Sequence, residues 1–193
     1  MTRRLVATTA ALMLLASTPA FAHLNPAEHG SLSAGLSHPF SGVDHILAML
    51  GVGLWATRAG GRAIWAMPAA FLIAMMAGFA AALTGVPLPF VEPTIAASVV
   101  VLGLLALVAL QVPTYVGMAV VGFFALFHGY AHGGELGEAG ALPFMAGFAL
   151  ATALLHGIGV TIGLGAARFG GAFVTRLAGG LTALGGLWLF AGM

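Results

Sequence analysis

Two groups of histidines stand inside apolar segments of a chain that has few other ionisable side chains. The first is the segment His38-Pro-Phe-Ser-Gly-Val-Asp44-His45, and the second is His128-Gly-Tyr-Ala-His132-Gly-Gly-Glu135. Imidazole and carboxylate groups together are suitable ligands for borderline divalent metals such as nickel, cobalt and zinc. Ionisable groups at membrane depth are costly, so they usually face a cavity or one another and mark a pathway. These residues therefore predict a membrane protein that handles a transition-metal ion.

The composition predicts that the elements carrying these histidines lie in a lipid bilayer. Of the 193 residues, 61% are hydrophobic and 6% are charged, whereas soluble domains contain about 25% charged residues. A net charge of +1 without a basic patch argues against nucleic acid as a partner. The absence of cysteine excludes disulfides, thiolate metal sites and iron–sulfur clusters. We therefore expect an all-α integral membrane protein, as a single chain or a homo-oligomer.

The amino-terminal residues have the features of a removable signal peptide. Two arginines precede a short apolar stretch, and positions 20–22 read Ala-Phe-Ala, which is a cleavage-site pattern. Cleavage would divide the chain into a signal peptide at 1–22 and a transmembrane domain at 23–193, with His23 at the mature terminus. The alternative is an uncleaved first helix, for which the apolar stretch is short. The signal predicts a bacterial inner-membrane protein whose amino terminus lies outside the cytoplasm.

Six further apolar segments are each about as long as the roughly 20 residues that cross a bilayer. Turn residues separate them, and we take the stretch from the glycine pair at 133–134 through Gly140 and the glycine pair at 170–171 as two of the breaks. The arginines that remain after removal of the signal fall in the first and fifth loops, so the positive-inside rule places both mature termini in the periplasm. The predicted spans lie near 38–57, 63–84, 93–111, 113–132, 142–166 and 172–191.

The first span, taken as one continuous helix, would align its two histidines. Pro39 suits the first turn of a helix, so His38 lies near the outer mouth and His45 about 10 Å deeper. A spacing of seven residues returns to nearly the same helical face, with Asp44 at its edge and Met49 one turn below. Met49 is the one methionine placed where a thioether could line a path.

The fourth span runs outward and carries the second group on one face. His128, His132 and Glu135 are spaced by four and three residues, and His132 lies near the outer surface. If spans one and four pack together, His38 pairs with His132 in an upper layer and His45 with His128 beneath it. Such a stack would form a metal-selecting path, although the sequence does not establish that the two spans touch.

Four further residues each allow two interpretations. His156 in the fifth span either continues the path inward or makes a hydrogen bond to a neighbouring helix. Glu92, which precedes Pro93, either binds metal or stabilises the amino terminus of the third helix. His23 and His29 either capture metal outside the membrane or take no part in metal handling.

Two motifs give the chain a resemblance to a known family. They are His38-x5-Asp44-His45 continuing into Leu47-Ala-Met-Leu-Gly-Val-Gly-Leu-Trp-Ala56, and Phe127-His-Gly-Tyr-Ala-His-Gly-Gly-Glu135. With them, the chain resembles the HupE/UreJ membrane proteins over essentially its whole mature length. The resemblance implies a secondary nickel permease, with cobalt carried by some members, that is linked to hydrogenase or urease maturation. The metal-handling residues that it implies are His38, Asp44, His45, His128, His132 and Glu135.

We therefore expect a transporter, not an enzyme, which carries nickel or another divalent ion inward and holds no permanent cofactor. The sequence has no nucleotide-binding loop, and the ligands of a moving ion must be few and exchangeable so that the ion can leave. Three alternatives remain open. A membrane zinc hydrolase would use three histidines and a carboxylate, and a b-type haem protein would use paired axial histidines. A metal receptor would bind the ion without transporting it.

Overall fold

The computed structural model describes residues 31–136 and 140–192, and every regular element within those ranges is helical. Positions 1–30 lie outside the described residues, and with them the predicted signal peptide, His23 and His29. The described α-helices are α1 (Leu32–Ser37), α2 (Val43–Ala59), α3 (Ala63–Leu83), α4 (Val91–Leu107), α5 (Thr114–Leu136), α6 (Ala141–Gly165) and α7 (Gly171–Ala191). A 3-10 turn at His38–Phe40 joins α1 to α2, and a π-helical turn at Ala166–Gly170 joins α6 to α7.

The first predicted span is not one continuous helix. The segment Leu32–Phe40 is bent by 80° relative to α2. The break lies at Ser41 and Gly42, where the Ser41 hydroxyl donates to the His38 carbonyl at 2.6 Å and Gly42 has an extended backbone. The prediction that His38 and His45 share one helical face is therefore wrong, because this pair of residues interrupts the helical hydrogen bonding between them.

The two predicted glycine breaks also differ from the structure. α5 continues through Gly133 and Gly134 to Leu136, and α6 reaches α7 through the π-helical turn rather than a loop. Gly133 contacts α3, where a β-carbon at this position would lie 2.5 Å from the carbonyl oxygen of Phe79. The glycine therefore serves helix packing, and its presence is not a signal for a turn.

Length and composition mark four described helices as candidate membrane spans, namely α3, α5, α6 and α7, with the bent segment of α1 and α2 as a fifth. α4 is apolar but shorter, at 17 residues. Large apolar side chains point outward, including Trp65, Leu142 and Trp188, which are 73%, 74% and 65% exposed. Soluble monomers rarely present such extended apolar surface. The fold is that of a multi-pass membrane protein, and six complete spans stay a prediction.

Close helix crossings fix the relative depth of the polar residues. α3 packs along α5, α4 along α7, and α2 along α6. At the last crossing, a β-carbon at Gly53 would lie 2.5 Å from the carbonyl oxygen of His156, and one at Gly159 would lie 2.6 Å from that of Leu50. His156 is therefore level with Gly53, which follows His45 by eight residues on α2. The helical rise places it about 12 Å deeper than His45.

Candidate metal centre

Four histidine rings meet where the amino-terminal end of α2 packs against the carboxyl-terminal half of α5. The ring centroids of His38 and His132 are 4.6 Å apart, and His45 lies 4.6 Å from His132 and 5.2 Å from His128. Both predicted layers therefore occur, and they contact each other through His45 and His132. We call these four residues the histidine cluster. Their role as metal ligands stays a prediction.

His38 reaches the cluster by a route that the sequence analysis did not foresee. It lies in the 3-10 turn rather than on α2, and its ring centroid is 6.2 Å from that of His45. The 80° bend between the two segments accounts for this approach. His38 is only partly buried, whereas His45, His128 and His132 are at most 5% exposed. The cluster thus leads from a partly open residue to buried ones.

An aromatic wall from α6 closes one side of the cluster. The ring centroid of Phe148 lies 4.7 Å from that of His132, 6.0 Å from that of His38 and 6.1 Å from that of His45. Phe144, one turn away, is 5.6 Å from His38. Apolar surroundings restrict water at a metal site and so influence how the ligands behave. Phe148 was not singled out from the sequence, because an aromatic residue on an apolar helix carries no distinctive signal.

Asp44 fixes the tautomer of His45. Its Oδ2 atom lies 3.0 Å from Nδ1 of His45, and because an ionised carboxylate can only accept, Nδ1 carries the proton. In the neutral ring, Nε2 then has a free lone pair. This Nε2 lies 2.5 Å from Nε2 of His132, which therefore donates its proton to it. A carboxylate behind an imidazole orients the ring and raises its basicity in metal sites. Asp44 thus orients the His45 ring, which is a predicted ligand.

Gly42 makes room for this pair. A β-carbon at Gly42 would lie 2.6 Å from Oδ1 of Asp44 and 2.8 Å from Nδ1 of His45. Any larger residue would push the carboxylate or the imidazole out of position. Gly42 was not among the residues predicted from the sequence to form the site, although its place two residues before an Asp-His pair was an available signal.

Removal of the Asp44 carboxylate is expected to weaken nickel binding. For Asp44→Ala we expect a loss of affinity of about 10- to 100-fold, which is the usual effect of removing such an orienting partner. Asp44→Asn retains an oxygen that accepts from Nδ1 of His45, so its loss should be smaller than that of Asp44→Ala. Equilibrium dialysis of the purified variants against nickel measures both. Equal affinities for Asp44→Ala and the wild type would contradict the orienting role.

Ser98 plays the same part for His128. The fully buried Ser98 hydroxyl donates to the carbonyl oxygen of Ile95 at 2.6 Å, which uses its single proton. Nε2 of His128 lies 2.9 Å from the same hydroxyl oxygen and must therefore donate to it. Nδ1 of His128 then has a free lone pair, is buried, and has no hydrogen-bond partner among the described residues. Nδ1 of His128 is thus the nitrogen that a metal ion could use directly. On His45 it is Nε2, which becomes available when the hydrogen bond from His132 is given up.

Ser98 gives a second test of the tautomer assignment. Ser98→Ala should lower nickel affinity by about tenfold or more, because His128 loses the partner that orients it. Thr182→Ala is the matched control, since the Thr182 hydroxyl is also buried but donates only to Ala178 of its own helix. The control should bind nickel as the wild type does. Equal effects of the two substitutions on affinity would mean that Ser98 acts only through stability.

Three further predicted residues lie on α5, α4 and α2. Glu135 lies on α5 one turn beyond His132, but its side chain is outside the described part of the chain. Glu92 is exposed in the first turn of α4, where a carboxylate suits the helix terminus. Met49 is fully buried in the apolar core. Among the described side chains, no three of the types His, Asp and Glu are grouped closely enough to hold one ion.

The apolar exterior and the buried histidines with their orienting partners define a multi-pass membrane protein with a polar site inside the helix bundle. The chain belongs to the HupE/UreJ family, since the family model described as HupE / UreJ protein matches residues 11–189. It is similar to Protein HupE of Rhizobium leguminosarum bv. viciae, with 48% identity over 190 residues, or 97% of each chain. No solved structure matches the chain significantly. The family is of transporter type, is associated with nickel and cobalt transport, and is linked to hydrogenase and urease nickel handling.

Proposed function

We propose that the protein is a secondary permease that carries a divalent metal ion from the periplasm to the cytoplasm for metalloenzyme maturation. Nickel is the first candidate and cobalt the second, as the family association suggests. The observation that carries the proposal is the pair of imidazole nitrogens on His45 and His132, which face each other at 2.5 Å with Asp44 behind. Imidazole is a suitable ligand for nickel and cobalt. The ion is the cargo and not a resident cofactor.

The orientation that we propose places the histidine cluster at the periplasmic end. Both α2 and α6 begin near the cluster and end near an arginine. Arg58 lies in the last turn of α2, and Arg168 follows the end of α6. Basic residues accumulate on the cytoplasmic side of inner-membrane proteins. All six long helices would then cross the bilayer after cleavage of the signal peptide, with both mature termini in the periplasm. The cluster would meet ions before they pass deeper into the bundle.

Transport in this arrangement proceeds by exchange of ligands. A hydrated ion loses water to His38 and His132 at the partly open end, and then moves to the buried lone pairs of His45 and His128. Metal–nitrogen bonds are about 2.0–2.1 Å long in zinc sites, so two nitrogens that bind one ion lie roughly 3 Å apart. Nε2 of His45 and Nε2 of His132 would therefore have to separate slightly to hold an ion between them. Few and exchangeable contacts let the ion leave again. A maturation protein of hydrogenase or urease would then receive it.

Uptake of radioactive nickel by cells that lack their own nickel importers tests this function. Cells that express the chain should accumulate nickel above the empty-vector control, and non-radioactive nickel should compete. Binding by purified protein without uptake by cells would indicate a receptor instead. Retained stoichiometric zinc, with a hydrolytic activity lost on chelation, would indicate a membrane hydrolase. Absence of both nickel and cobalt uptake would contradict the permease.

Acidification is expected to reduce uptake. Neutral imidazole binds metal and imidazolium does not, so transport should fall as the external pH drops below about 6. Initial uptake rates measured between pH 7.5 and pH 5 in roughly half-unit steps, at nickel concentrations well below saturation, give the profile. A rate that stays flat or rises towards pH 5 would contradict ligation by neutral histidine, and a rise would point to proton-driven import.

A further inference from the structure

A buried imidazole outside the histidine cluster, that of His156 on α6, is the basis of a further inference. It is 1% exposed, and neither of its ring nitrogens has a hydrogen-bond partner among the described residues. Buried polar groups are normally hydrogen-bonded, and an imidazole always carries at least one N–H and, when neutral, one free lone pair. The alternative that His156 makes a hydrogen bond to a neighbouring helix is therefore not supported by any hydrogen bond among the described residues. Both ring nitrogens of His156 are therefore unused by the described residues and could bind a ligand.

One aromatic ring connects His156 to the histidine cluster. The phenyl centroid of Phe71 lies 4.9 Å from His156, edge to face, and 5.8 Å from His128. Phe71 is fully buried on α3. His156 is about 12 Å deeper than His45 by the helical rise, on the side of the arginines. The imidazole rings of the cluster are thus followed, further inward, by that of His156. The phenyl ring of Phe71 contacts both His128 and His156.

We propose that His156 is an inner binding station for the divalent ion and that Phe71 is the gate between it and His128. The proposal rests on the permease function and assigns it a second site. An apolar constriction blocks a hydrated ion while it is closed. Displacement of the phenyl ring would bring the free lone pair of His128 and a nitrogen of His156 onto one route. The gate would keep the outer and inner stations from being open to each other at all times.

The lack of cysteine in the chain makes access to this station measurable. The variant H156C is reconstituted in liposomes and treated from outside with a cationic methanethiosulfonate reagent, and unreacted thiol is counted after denaturation. I158C is the matched control, because Ile158 is two residues away on α6 but 40% exposed on the outer surface. We expect H156C to react at least about tenfold faster than I158C. Opening of the gate admits water and the reagent to position 156, whereas position 158 faces the lipid, where a thiolate does not form. Nickel should slow the reaction of H156C alone.

The gate is tested by adding a second substitution. F71A should accelerate modification of H156C by about tenfold, since it removes the apolar barrier. F79A is the control, because Phe79 is equally buried on the same helix two turns away. Equal rates with F71A and F79A would overturn the gate. Equal rates for H156C and I158C, or no effect of nickel on H156C, would overturn the inner station.

Transport separates the inner station from the permease function itself. H156A should lower nickel uptake at least about tenfold while the purified variant still binds nickel at the histidine cluster. Uptake by H156A at the wild-type rate would overturn the proposal. If the wild type does not transport nickel, the permease function fails. Equilibrium dialysis then decides whether the inner station binds the ion, because the purified wild type should bind more nickel than H156A, and equal amounts would overturn the station.

Discussion

His45→Ala is expected to reduce nickel uptake to the level of the empty vector. His45 contacts all three other members of the cluster, at ring-centroid distances of 6.2 Å to His38, 4.6 Å to His132 and 5.2 Å to His128. It also holds the bond to Asp44 that fixes its own tautomer. Under the proposed function, its removal takes away a ligand and the contact between the two layers. We expect a loss of at least about 100-fold in uptake rate, which corresponds to roughly 2.7 kcal/mol.

The matched control for this substitution is Met49→Leu. Met49 lies one turn below His45 on α2 and is fully buried in the apolar core. The swap conserves volume and usually costs less than about 1.5 kcal/mol, so the protein level should hold. Uptake at the wild-type rate is expected, which would also remove Met49 from the candidate ligands. Strong uptake by His45→Ala at equal protein level would contradict the role of the cluster.

The second large effect is on stability, and it comes from Gly129. A β-carbon at this position would overlap the carbonyl oxygen of Met75, because α5 and α3 cross there in close contact. Gly129→Ala must therefore push the two helices apart next to His128. We expect a loss of about 3 kcal/mol, at the upper end of overpacking effects. A decrease of roughly 6–12 °C in Tm of the purified protein in detergent would follow.

Gly134→Ala is the control that separates the steric clash at Gly129 from a general destabilising effect of alanine in this helix. Gly134 lies on the same helix five residues later, and a β-carbon there meets nothing within 4 Å. Alanine also favours the helix over glycine by about 1 kcal/mol. The Tm should therefore stay the same or rise slightly. Equal decreases for Gly129→Ala and Gly134→Ala would show that the close crossing of α3 and α5 is not what the glycine serves.

The sequence predicted which histidines come together better than it predicted how the helices bring them together. The spacing of His128 and His132 required only that their segment be helical, and α5 is helical there. The pairing of His38 with His132 also occurs, but the argument for it was wrong, because it assumed an unbroken first helix. The break at Ser41 and Gly42 depends on a local hydrogen bond that competes with the helix, and hydrophobicity does not reveal it.

Residues that orient or separate the rings could not be found from spacing alone. Ser98 and Phe71 lie on helices other than those of the two motifs, and each is one polar or aromatic residue in an apolar segment. Their importance depends on which helices touch, and that is decided by tertiary packing. Gly133 was misjudged for the same reason, since a glycine that accepts a neighbouring backbone looks like a turn until the neighbour is known.

Nickel influx into liposomes that contain only this protein tests the central claim most directly. The wild type should give saturable influx that cobalt competes with, and His45→Ala should give the rate of empty liposomes. This result would establish that the chain alone moves the ion through the histidine cluster. Influx at equal rates in the wild type and His45→Ala, or nickel bound by the wild type without any influx, would contradict it.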